Sequence, residues 1–150
     1  MAGDATGSTV LYLPRERIVM TGDVLVRAED GRGAQPWTMN SYAVSAWLTS
    51  LKRLDALDVA TIIPGQGPAL SDKNLLRLTI KLYESIIGQV HAVLEKENVT
   101  LAQLIEKVDL RAIRTQFTGD DPALNTRFDG VVAGLIRRAA QEAHDGVALP

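Results

Sequence analysis

Apolar residues fall into short runs at the start of the chain and into long helical seams later. Thr9-Val10-Leu11-Tyr12-Leu13 is β-branched and apolar, and Pro14-Arg15-Glu16-Arg17 supplies turn chemistry before Ile18-Val19-Met20. This predicts a hairpin. Both strands are apolar on consecutive positions, the pattern of a sheet covered on two faces. Thr21-Gly22-Asp23 ends the second strand, and residues 29–36 are rich in Gly and charge, as in a surface loop. Asn40 or Ser41 is positioned to cap a helix running through Asp55, with Val44, Trp47, Leu48, Leu51 and Leu54 at helical spacing. Val59-Ala60-Thr61-Ile62-Ile63 reads as a buried strand stopped by Pro64-Gly65. Strand, helix and strand in this order make a crossover unit.

Beyond Ser71 the pattern is helical throughout. Leu76, Ile80, Tyr83, Ile87, Val90 and Leu94 form one seam, and Leu75, Leu78, Leu82 and Ile86 lie in a second row beside it. That apolar face is wide for a helix at a monomer surface. Thr100 and Gln103 have capping-box spacing before Leu104, Ile105 and Val108. Asp121-Pro122 marks another helix start, and Phe128, Val131, Val132, Leu135 and Ile136 carry the last helix. The fold class is therefore α/β. A sheet-containing part spans residues 1–70, and a helical part spans residues 71–150 of a single domain.

Composition narrows the function classes. The chain has 150 residues, enough for a core without staples. Its net charge of −2, with no cluster of Lys and Arg, argues against nucleic acid and against an anionic membrane surface as partners. The absence of Cys excludes disulfides and thiolate zinc sites. No apolar run approaches the ~20 residues of a membrane span, and the first residues have neither the basic nor the apolar region of a secretion signal. The expectation is a soluble, cytoplasmic protein.

Three stretches carry a resemblance. They are Gly7-Ser8-Thr9-Val10-Leu11-Tyr12-Leu13-Pro14, Ile18-Val19-Met20-Thr21-Gly22-Asp23, and Ile62-Ile63-Pro64-Gly65-Gln66-Gly67-Pro68. In order and spacing they resemble the second half of metallo-β-lactamase-fold hydrolases, closest to the glyoxalase II-like branch. Asp109-Leu110 and Phe117–Leu124 resemble the helical extension of some of these enzymes. The likeness spans nearly the whole chain but only about half of that fold.

The resemblance implies half of an αββα fold, a small mixed sheet covered by helices, with a helical extension. The family's chemistry uses two metal ions that activate a bridging water. The H-x-H-x-D-H motif of the first half has no counterpart here, and the only histidines are His91 and His144 in the helical part. In the second half, the resemblance places the three metal positions on Asp4, Asp23 and Gln66. Only Asp23 keeps the family's residue; Asp4 and Gln66 stand where the family has His. Asp4, Asp23 and Gln66 offer oxygen alone, a set better suited to a hard cation than to zinc.

These positions read as vestigial, with Asp23 as the one candidate ligand. No catalytic residue and no cofactor is expected, and zinc enters only if another chain completes the site. Each residue also has a plainer role. Asp23 and Gln66 satisfy backbone groups, Gly65 and Gly67 serve backbone conformation, His91 and His144 belong to a helix surface, and Trp37 and Trp47 anchor a core or an interface. The expectation is a non-catalytic remnant. It binds a ligand or protein as a homodimer whose second copy occupies the place of the missing half, or it takes a protein partner that supplies that half. The alternative is a metal-dependent hydrolase completed across an interface.

Overall fold

A hairpin and a crossover strand build the sheet. The computed structural model describes residues 8–27 and 43–144. Strand β1 (Leu11–Leu13) pairs antiparallel with β2 (Ile18–Gly22), and β2 pairs parallel with β3 (Thr61–Pro64), in the order β1-β2-β3. The predicted hairpin, its turn and the crossover are all present. The strands sit within a few residues of their expected limits. β1 starts at Leu11 rather than Thr9, and β3 is displaced toward Pro64.

The turn is held by Arg17, which has a positive φ of 56°. Its carbonyl accepts from the N–H groups of Ala60 (2.7 Å) and Thr61 (3.2 Å), and its Nη2 donates to Asp58 Oδ1 at 2.7 Å. One residue thus joins the hairpin to the approach of β3.

Helix α1 (Val44–Asp55) provides the crossover, and Trp47, Leu48, Leu51 and Leu54 are buried as the periodicity required. Asn40 and Ser41, the expected caps, lie outside the described residues, and α1 begins only at Val44. The groups that end it come from far away. The N–H groups of Val44 and Ser45 both donate to the carboxylate of Glu142, at 3.1 Å for Ser45. At the other end Lys73 Nζ donates to the carbonyls of Asp55 and Leu57. A carboxylate at the helix start and an ammonium at its end both interact favourably with the macrodipole.

Helix α2 (Asn74–Leu94) packs against both α1 and α5 (Pro122–His144), which also touch each other. Leu76, Leu82, Tyr83, Ile86, Ile87 and Val90 are buried, so both expected apolar rows are engaged inside this chain. The width of that face therefore does not call for a second copy. Trp47 lies 5.9 Å from Tyr83 between ring centroids and donates its indole N–H to Val24 O, which makes it a core anchor; Trp37 lies outside the described residues. Burial raises the Tyr83 phenol pKa.

Helix α3 (Leu101–Lys107) has the predicted Thr100–Gln103 capping box. Helix α4 (Arg111–Thr118) follows as a separate element. It ends on Gly119 in the left-handed region, and α5 starts with Asp121 Oδ1 accepting from Ala123 and Leu124 N–H. Gln89 of α2 clips the α3–α4 junction through two bonds to the backbone of Asp109, at 2.8 and 3.0 Å.

The two faces of the sheet differ. Val19, Thr21 and Ile62 point into the helical core and are buried. Leu11, Leu13, Ile18, Met20 and Ile63 alternate with them and occupy the outer face. Leu11 is 51% exposed and Met20 39%. The expected covering on two faces is thus found on one. Among the described residues nothing covers the outer face, an apolar surface three strands wide.

Candidate functional site

Asp23 and Gln66 lie at the carboxyl ends of the parallel pair β2 and β3, the place where open α/β sheets put ligands. β2 ends with a register shift between Met20 and Gly22, which turns the chain away from the ladder. The buried Thr21 hydroxyl lies within hydrogen-bond distance of the carbonyls of Leu25 (3.2 Å) and Ile63 (3.4 Å). Gly65 N–H lies between the carbonyls of Gly22 (2.9 Å) and Leu25 (3.2 Å), and Arg27 N–H donates to Gln66 O at 3.1 Å. The two loops are therefore fastened mainly through their backbones.

The carboxylate of Asp23 lies over Gly65. A Cβ at Gly65 would come 2.5 Å from Asp23 Oδ1, 2.6 Å from Gly22 C and 2.7 Å from Gly22 O. The glycine is required here by close approach. Gln66 is exposed and Asp23 half-buried. The structure thus brings two of the three sequence-derived positions to one end of the sheet, and Asp4 lies outside the described residues. His91 and His144, both on helices of the extension, are not in this turn region. Among the described residues no three His, Asp or Glu side chains are grouped to hold a metal.

Residues 2–66 match the family model of the metallo-beta-lactamase superfamily. The small mixed sheet with its helices is consistent with a partial metallo-β-lactamase-like fold. The match ends on Gln66, so it takes in the hairpin, α1, β3 and both strand-end loops but none of the helices from α2 onward. No curated protein matches the chain.

The metallo-β-lactamase fold implies metal ions, and the described residues do not fit them. One carboxylate and one amide stand at the strand ends, with no imidazole, whereas a catalytic zinc takes three protein ligands, commonly including His. The chemistry available at this end of the sheet is hydrogen bonding, with one negative charge.

Sequence reasoning missed two functional-looking features. One is the cluster of cations beside the start of α2, brought together by helices and loops that no local motif links. The other is Glu142, which reads as an ordinary surface acid on α5 until its distance from α1 is known.

Proposed function

We propose that this chain is a non-catalytic member of the metallo-β-lactamase superfamily that works as a binding module and self-associates through the outer face of its sheet. The donor set at the ends of β2 and β3 carries the non-catalytic reading. Among the described residues Asp23 is the single carboxylate at these strand ends, and Gln66 is an amide that cannot replace an imidazole. Without metal-bound hydroxide, the family's hydrolysis has no nucleophile.

The outer face supports a second copy as occupant. Leu11 and Met20 are exposed beside Leu13, Ile18 and Ile63, and among the described residues Thr61 completes these rows. Two such faces meet about a two-fold axis without opposing like charges, and sheets pack face to face in this way. A stable interface buries about 800 Å² per partner.

Light scattering over a dilution series tests the association. The expected mass is twice the 16.2 kDa chain mass at micromolar concentration. Met20→Glu should return it to the single-chain mass with the helical circular dichroism intact, because Met20 is already partly exposed and adds no buried charge. A wild-type protein that is folded and monomeric overturns the dimer. The non-catalytic reading is tested separately. Dialysed protein should hold no stoichiometric zinc, and thioester, lactam and phosphodiester probes should hydrolyse at background.

The placement of Asp23 at the end of β2 favours one second reading, a metal-dependent hydrolase whose site is completed across a subunit or partner interface. About one zinc per chain after dialysis, with turnover lost in Asp23→Ala, would establish it in place of the first.

A further inference from the structure

The chain carries two more acids than bases, yet one of its clefts has the opposite balance. A cleft of about 820 Å³ lies between the end of the β2 loop, the segment after β3, the first turns of α2 and the end of α4. Among the described residues its charged lining is Arg27, Arg77, Lys81 and Asp72, three cations against one acid. Asp72 is partly committed, because its Oδ1 accepts from Asn74 N–H at 2.8 Å. Arg77 uses its Nε on Asp55 Oδ1 at 3.0 Å, and its terminal amino groups make no hydrogen bond among the described residues. Lys81 makes no ion pair among the described residues.

The rest of the described wall is mixed, with Ser71, Asn74 and Gln116 beside apolar residues. Leu70 and Phe117 are buried beneath the cleft, and Leu78 flanks them. Gln116 adds an amide whose Nε2 is bonded to Ala112 O, which leaves its oxygen as an acceptor. The volume lies within the 300–1,000 Å³ range of small-molecule sites, which combine an apolar wall with a few converging polar groups. Cations gathered in a concavity raise the local concentration of anions.

We propose that this cleft binds a small organic anion, with a phosphate or carboxylate at Lys81 and Arg77 and a short apolar or aromatic body against Leu78 and Phe117. The proposal deepens the binding-module reading by naming a site and a ligand class. It does not depend on the dimer, because no cleft residue lies on the outer sheet face.

The test uses the full chain and titration calorimetry with phenyl phosphate, phenylacetate, inorganic phosphate and phenethylamine. Saturable binding is expected for at least one of the two aromatic anions, tighter than for inorganic phosphate, weakening as salt is raised, and absent for the cationic amine. The tighter of phenyl phosphate and phenylacetate identifies the acidic group. Lys81→Glu should weaken binding at least tenfold. Lys96→Glu makes the same charge change at an exposed position outside the lining of this cleft and should leave affinity within twofold.

Equal loss in both variants, binding of the amine as tight as that of the anions, or no saturation by either aromatic anion overturns the proposal. Light scattering on the same samples separates the two readings. A monomer that binds the anion removes the dimer alone, and a dimer that fails to bind removes the cleft alone.

Discussion

Asp109 stands at the start of α4 and holds Arg111 by three bonds. Oδ1 accepts from the backbone N–H (3.1 Å) and Nε (3.0 Å), and Oδ2 from Nη2 at 2.6 Å. The side-chain bond from Arg111, then its backbone bond, lower the carboxyl from 3.8 to about 2. A depressed carboxyl contributes stability that is complete above its unfolded value and is lost as pH falls through its folded value. The staple should therefore weaken between about pH 4 and pH 2, with no change at neutral pH. Carboxyl NMR should give Asp109 a midpoint near 2, and Arg111→Ala should return it to the ordinary carboxylate range. A midpoint near 4 in the wild type would show that the bonds are not formed in solution.

Gly65 makes the opposite kind of claim. Ala there must push against the backbone of Gly22, so it should destabilise by roughly 1–3 kcal/mol in urea unfolding. Free accommodation would mean that the two loops are not fastened as described. Of this site, the sequence showed which residues stand in the turn. It could not show that Asp23 lies over Gly65, because that contact depends on the pairing of β2 with β3.

Among the elements, α2 was the most legible because its apolar spacing is long and regular. The capping box of α3 and the Asp-Pro start of α5 were legible too, since each is a local hydrogen-bond device. The limits of β1 and β3 were less so, because pairing partners rather than propensity decide where a short strand stops. The partners of the two α2 rows were hidden for a related reason. Periodicity shows how wide an apolar face is but not what covers it, and here α1 and α5 do.

Within α2, Gly88 is exposed, and a Cβ there meets nothing within 4 Å. Gly88→Ala should stabilise by about 0.5–1 kcal/mol through backbone entropy and helix propensity. A loss of stability instead would reveal a contact at that position. Glu142→Ala should destabilise by about 2 kcal/mol, since it leaves the N–H groups of Val44 and Ser45 without their partner in a buried setting. Thermal unfolding of the two variants should shift in opposite directions.

For the whole molecule, the layers are unequal. The helical side is closed, with α1, α2 and α5 packed against one another, while the other side of the sheet presents Leu11 and Met20 to solvent. Oligomeric state is therefore the property that most divides the possible readings of this chain. No helix among the described residues is long and apolar enough to cross a membrane. Apolar runs in β1 and β2 indicated a sheet covered on two faces, whereas the fold shows one cover among the described residues.

The borrowed ends of α1 bear on when that helix comes into being. During synthesis Val44 leaves the ribosome long before Glu142, 98 residues later, which supplies its first hydrogen bonds. Short helices nucleate poorly by themselves. A nascent chain that stops short of α5 should therefore hold α1 as a fluctuating segment, open to proteases, and complete it only when the carboxyl end arrives. In the finished protein the same dependence runs in reverse. When the last turns of α5 fray, the amides of Val44 and Ser45 lose their protection together with them, so their hydrogen exchange should keep time with the far end of the chain rather than with the middle of their own helix.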